Sequence, residues 1–426
     1  MKKLILALLV QVFLLTSSLA PPVLAQEPNI PVLVDGLSVA FDVQPVIQNG
    51  RTLVPFRATA EALNVKVSWN SAAQTITASD AGTSIWLQIG SQTARVNDSY
   101  ISLDVPPQII NGRTLIPLRF FSEAFNCKVA WDSSINGVRI ATPAEEMSVV
   151  GFYALGDSGT SSWTDLFGRP YPESAAGNTD AVSELALGWY SLDKDGSLLT
   201  RSRTGWQRPD GYEKVLATAG EYRMKTEMVV HLTDGDGAIT SLLASEAAMT
   251  RAADSIAAEA RLYQGVNLDF EGLGFQDEGA RLRAVQDSFT RFVKILSERT
   301  RAAGRGLTLT LHAPNSSYPG YDYQALGALA DRIIIMAYDY GSTPEPVSLV
   351  RQAVEQAAAL VPSEKLLLGI SAPSETAESI PVKVGIAKRY KLAGVAIWRL
   401  GLVSDEMWGG FRSAVAAKKT WLSPSL

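Results

Sequence analysis

The sequence predicts an α/β fold: a (β/α)8 TIM barrel preceded by a small duplicated α+β accessory domain. Three observations carry that expectation. Eight apolar β runs alternate with helical patterns between Val149 and Gly401. A segment of the N-terminal third repeats at an offset of 62 residues, taking Arg51 to Arg113 and Trp69 to Trp131. No glycine-rich phosphate loop follows any of the runs, which argues against an open doubly wound sheet.

The chain has 426 residues, of which 46% are hydrophobic and 19% charged. That composition is globular and has room for two or three domains. It begins MKKLILALLVQVFLLTSSLAPPVLAQ, with a basic start, an apolar run and small residues before Gln26. These features read as a secretory signal over residues 1–25 cleaved near Ala25, with an uncleaved anchor as the alternative. Its removal takes away Lys2 and Lys3 and no acid, moving the formal net charge from −5 to −7. Such a chain is not an electrostatic nucleic-acid binder. Cys127 is the only cysteine, so export does not depend on intrachain disulfides. His231 and His312 are the only histidines, leaving little room for a His-rich metal site or a Ser-His-Asp triad.

The first domain, residues 26–142, holds the repeat. NGRTLVPFRATAEALNVKVSW from Asn49 aligns with NGRTLIPLRFFSEAFNCKVAW from Asn111, an internal duplication. Each copy reads as an Asn-Gly turn, a short strand, one amphipathic helix and a hairpin carrying the Trp. Cys127 falls where the first copy has Val65, so it reads as a buried small apolar side chain. A Trp repeated at one place reads first as core, with stacking on sugars as the alternative. The duplicated unit resembles the copper amine oxidase N-terminal-like domain of exported bacterial proteins. No copper is expected, because residues 26–142 contain no histidine,. The resemblance implies an accessory role, holding the protein to the cell wall or spore envelope.

The second domain, residues 147–420, carries the eight runs: VVGFYA from Val149, LALGWYSL from Leu185, TEMVVHL from Thr226, GVNLDFE from Gly265, LTLTLHAP from Leu307, RIIIMAYDY from Arg332, KLLLGISAP from Lys365 and GVAIWRLG from Gly394. Active sites of such barrels collect at the C-terminal strand ends. The polar residues stand there: Asp269 and Glu271, His312 and Asn315, Tyr338 and Asp339, Trp398 and Arg399. Within GVNLDFE, residues 267, 269 and 271 share one strand face. Burying two carboxylates side by side is costly unless they do chemistry. A neighbouring carboxylate and an apolar wall are expected to keep Glu271 protonated, as a general acid requires.

Gln264, Asn267, Asp269 and Glu271 in the fourth run, Met336, Tyr338 and Asp339 in the sixth, and Trp398 at the end of the eighth resemble family 18 glycoside hydrolases. The Asn at 267 is similar to the branch of spore cortex-lytic and other peptidoglycan N-acetylglucosaminidases. The resemblance implies retaining cleavage after N-acetylglucosamine, with the substrate's own N-acetyl oxygen as nucleophile. Glu271 would be the acid, Asp269 would orient the acetamide, and Tyr338 would bond its oxygen. Asn267, Met336, Asp339, Trp398 and Tyr153 would line the sugar site, with Tyr340 and Arg399 as further contacts. No metal or organic cofactor is implied, and a secreted or envelope-associated monomer is expected.

Two departures from the family pattern carry expectations. Gln264 and Asn267 replace acids, so a neutral amide behind Asp269 should shift the pH profile. The stretch SETAESIPVKVGIAKRYKLA between the last two runs is too short for the α+β insertion of many relatives, so the groove should be shallow and open. A chitinase would share every catalytic residue. A non-catalytic glycan-binding barrel is the other alternative, although lectin-like relatives typically lose the acid that this chain keeps at Glu271.

Overall fold

The computed structural model describes residues 30–154, 159–201 and 206–419. The expected signal over residues 1–25 lies outside the described residues. In the N-terminal part each repeat folds as its pattern indicates. Arg51–Pro55 leads into the helix Phe56–Ala62 and the hairpin Lys66–Asn70/Thr75–Ser79. Arg113–Pro117 leads into Leu118–Ala124 and the hairpin Lys128–Asp132/Gly137–Ala141. The Asn49-Gly50 and Asn111-Gly112 turns have positive φ at both residues, the conformation that makes Asn-Gly the favoured hairpin pair. The first strands of the two copies pair antiparallel, Val54 opposite Ile116, so the copies meet about a pseudo-two-fold axis. Their helices bury Phe56, Ala60, Leu118 and Phe121 in one shared core with Val65 and Cys127. Burial pushes the Cys127 thiol up to about 12, so it is inert.

The second part is a closed parallel barrel. Its strands are β1 (Glu145–Tyr153), β2 (Glu184–Leu192), β3 (Lys225–Thr233), β4 (Gly265–Glu271), β5 (Gly306–His312), β6 (Arg332–Met336), β7 (Leu366–Ser371) and β8 (Gly394–Trp398). Each pairs with the next, and β1 pairs with both β2 and β8. Outward-facing residues such as Val149, Leu268 and Leu309 pack under the helices. Val150, Phe152, Ala186, Val229, Ile334, Leu367 and Ala396 fill the lumen. That alternation is the period-2 pleat of a strand covered on both faces. Between β7 and β8 lie only the turn Ala372–Ser374 and the helix Ser379–Arg389, so no extra α+β element rises there.

The two parts are joined tightly. Three residues separate the strand ending at Ala141 from β1. Lys388, 4% exposed, donates from Nζ to Thr142 Oγ1 (2.9 Å) and Pro143 O (2.8 Å) and lies 3.8 Å from Asp35. Asn64 of the first copy donates to Lys388 O (2.9 Å). Asp35 in turn accepts from Thr142 N (2.8 Å). A buried ammonium with such partners resists deletion. Lys388→Ala is therefore expected to destabilise the chain by about 1–3 kcal/mol, the usual cost of leaving buried acceptors unmet, as read from its urea midpoint.

Candidate active site

Register decides what faces the lumen. His231 of β3 and Thr310 of β5 stand opposite Asp269 of β4, and Val229 and Thr308 stand opposite Asn267. Asn267 and Asp269 are fully buried, while Glu271 reaches the rim, half-buried. Asn267 Oδ1 accepts from Thr310 Oγ1 (2.8 Å), and its Nδ2 donates to Glu227 Oε2 (3.4 Å). Glu227 also pairs with Arg332 (2.6 Å), which chelates Glu184 through two bonds. This explains the amide at 267: an Asp there would face Glu227 as a like charge, whereas an amide donates to it. Gln264 does not join the site. Its Oε1 accepts from Thr226 N and Oγ1, both at 2.8 Å, and ties down the start of β3.

The carboxyl pair titrates opposite to the expectation that Glu271 holds the proton. Burial pushes Asp269 up to about 8, with the Glu271 charge adding to the effect. Burial also raises Glu271, but the His231 hydrogen bond and the charges of His231 and His312 outweigh it and hold Glu271 below the usual range. His231 Nε2 lies 3.2 Å from Glu271 Oε1, and His312 Nε2 lies 4.0 Å from Oε2. Burial lowers His231, yet the bond to Glu271 and the two carboxylate charges raise it overall. Burial lowers His312, which stacks on Tyr318 at 4.2 Å. The opposite directions of the two shifts favour the proton on Asp269 over Glu271. Asp269 Oδ1 is buried without a hydrogen-bond partner, so the inner carboxyl is set up to receive one.

His231, Asp269 and Glu271 present ligand atoms within 4.8 Å of one another. A cation there would have to displace the proton of Asp269 and break the His231–Glu271 bond. The set is better suited to moving a proton than to holding a metal.

The wall of the mouth comes from β6 and β8. Met336 is buried next to His312 in register. Tyr338 follows β6, and Gly369 of β7 leaves it room: a Cβ there would stand 3.1 Å from its ring. Burial and the charges of Asp269 and Glu271 raise its hydroxyl well above the ordinary phenol value, placing it in their field and protonated. Asp339, at φ 66, is exposed, yet partial burial and the Glu271 charge raise its carboxyl above the usual range. Glu345 accepts the backbone N–H of Asp339 (2.8 Å) and of Tyr340 (3.1 Å), and Tyr340 donates to Asn315 (2.8 Å). Trp398 packs edge-on against Phe152 and lies 5.4 Å from Trp206. Trp206 in turn stands 5.6 Å from the His231 ring. It occupies the space that Gly188 leaves open, because a Cβ on Gly188 would collide with its ring.

Tyr153 is a correction. The pleat turns it out of the lumen, where it is fully buried against Trp189, while Phe152 takes the inward position. Tyr153 cannot touch a sugar in the mouth. Trp131 is the second correction: it is 46% exposed rather than core. Trp206 and Glu345 went unnoticed in the sequence because both residues stand outside the strands and helices whose periodicity guided the reading.

Residues 33–140 match the model of the family described as Copper amine oxidase N-terminal domain, in line with the resemblance of the duplicated unit. A curated relative from Bacillus subtilis (strain 168), YdhD, whose name provisionally assigns it as a sporulation-specific glycosylase, is 37% identical over 120 residues. The match takes in 26% of this chain and about a quarter of that relative's length, 27%. The solved Bacillus megaterium QM B1551 spore cortex-lytic enzyme SleL matches with a TM-score of 0.53 at 17% identity, over 72% of this chain and 83% of that one. A chitinase structure from Chromobacterium violaceum ATCC 12472 matches with a TM-score of 0.52 at 18% identity, over 63% of this chain and 98% of that one. The barrel fold is thus that of chitinase and cortex-lytic enzyme structures.

Proposed function

We propose that the chain is an exported glycoside hydrolase that cleaves β-1,4 bonds after N-acetylglucosamine in peptidoglycan or spore cortex. The single observation that carries this reading is the pair Asp269 and Glu271 on one face of β4, the inner acid fully buried and the outer one at the rim beside His231. When a 2-acetamido sugar enters, the Asp269 proton passes to Glu271. Asp269 is left as a carboxylate that accepts the acetamide N–H, and Glu271 can protonate the glycosidic oxygen. The acetamide oxygen attacks the anomeric carbon, and the departing sugar oxygen takes the Glu271 proton. Tyr338 stabilises the acetamide oxygen as charge shifts. Water, deprotonated by Glu271, then opens the ring with retention. Trp398 and Trp206 would floor the sugar subsites, with Met336, Asn267 and Asp339 shaping and supporting them. Cortex-lytic and glycosylase names among the relatives support a wall substrate over free chitin.

Purified sacculi, cortex fragments and chitin oligomers digested with the full chain should yield new reducing ends at N-acetylglucosamine, identified by mass spectrometry, with sacculi or cortex cut faster. New ends at N-acetylmuramic acid would overturn the bond assignment, and a faster rate on chitin would favour the chitinase reading. Glycan binding without any cleavage would leave the non-catalytic barrel as the better reading.

A further inference from the structure

The two copies of the N-terminal repeat build two equivalent grooves across their pseudo-two-fold axis. One, about 550 Å³, is lined by Trp131, Arg119 and Glu123 of the second copy together with Arg51 and Asp104. The other, about 440 Å³, is lined by the residues 62 positions earlier, Trp69, Arg57, Glu61 and Asp42, with Arg113 of the opposite copy. Arg51 bonds Asp104 at 2.6 Å and Arg113 bonds Asp42 at 2.5 Å. Every one of the five functional positions has thus been kept in both copies. Nearby positions have drifted, as Ala58 against Phe120 and Val65 against Cys127 show.

Stability does not account for what was kept. Both ion pairs are more than half exposed, and such pairs are worth about 0–1 kcal/mol. Trp131 leaves much of its indole in water, where a structural residue would bury it; Trp69, half-buried against the shared core, still presents a face to its groove. Each groove carries two guanidinium and two carboxylate groups, so its charge cancels. That gives no net pull on a polyanion and suits a sugar face rich in donors and acceptors with one apolar side. A pyranose has those properties, and both volumes fall in the range of small-ligand sites.

We infer that these grooves are paired glycan-binding sites, each seating a sugar of a neutral polysaccharide strand on its Trp while the Arg and acid groups bond the hydroxyls. The choice of a β-linked amino-sugar polymer rests on the function proposed above; the grooves themselves do not. Two linked sites raise avidity on a polymer well beyond either alone.

The test uses the full chain carrying Glu271→Gln, pelleted with sacculi or with insoluble chitin. Trp69→Ala and Trp131→Ala should each weaken pelleting about tenfold, because losing one stack also breaks the two-site grip. The double variant should lose most of what remains, with circular dichroism unchanged. In chains that retain Glu271, hydrolysis of short soluble oligomers should be unaltered by either substitution. A correctly folded double variant that pellets like its parent on both polymers would overturn the inference. Loss of pelleting together with an equal loss on soluble oligomers would also overturn it, by assigning the effect to the barrel. Failure of the chain that retains Glu271 to hydrolyse any glycan would sink the proposed function and leave the pelleting result standing.

Discussion

Glu271→Gln is expected to lower kcat on wall glycan by about 10²–10⁴-fold, the range spanned by a positioned general acid, while leaving substrate affinity within a few-fold. The substitution is nearly isosteric, so the mouth keeps its shape. What it removes is the rim carboxyl placed to receive the Asp269 proton and hand it on. It also strips His231 of the hydrogen-bonded charge that raises it. The His231 titration seen by NMR should therefore move down in the variant. Kinetics on a defined oligomer together with that titration decide the matter. A variant with near-normal kcat would sink the acid assignment, and an unmoved His231 would mean that the pair is not formed in solution.

Asp269→Asn should cost activity on a similar scale, yet make the protein more stable at alkaline pH. In the folded chain Asp269 is held up to about 8, first by burial and then by the Glu271 charge. In the unfolded chain it titrates near pH ~3.9. A group whose folded value is raised contributes stability that is complete below the unfolded value. That contribution is lost as pH rises through the folded value. Between about pH 4 and 8 the wild type should thus lose stability that the amide variant, which never ionises, retains. Thermal melts of both proteins at pH 5 and pH 9 test this: the Tm advantage of the variant should widen at pH 9. A pH-independent difference would show that Asp269 ionises as freely in the folded state as in the unfolded one. Loss of activity with gain of stability at one position is the signature of a residue kept for chemistry.

Much of the fold was legible because its signals are local. Each of the eight apolar runs became a barrel strand, and each repeat became the strand, helix and hairpin that its pattern describes. The period of two also placed Asn267, Asp269 and Glu271 on one face. It could not say which face of β1 is inward, and a slip of one residue exchanged Tyr153 for Phe152. The charge state of Glu271 was not legible either, because it depends on His231, 40 positions earlier, brought alongside by the β3–β4 pairing. Asn267 was read as a departure from an acidic pattern. Its reason lies in Glu227 of the neighbouring strand and Arg332 of β6, which no spacing along β4 could reveal. Trp206 lies outside the regular elements and reaches the mouth because Gly188 on β2 leaves a gap.

The N-terminal part is fastened at the floor of the barrel, where β1 begins and where the helix carrying Lys388 ends. The strand ends bearing Asp269 and Glu271 lie at the opposite pole. On the functions proposed above, a glycan gripped by the repeat would be held behind the barrel while the bond to be cut is presented in front. A molecule arranged in this way would not trim the strand on which it sits: it would stand on one layer of a mesh and work on the next, with the depth of the barrel as its fixed stride.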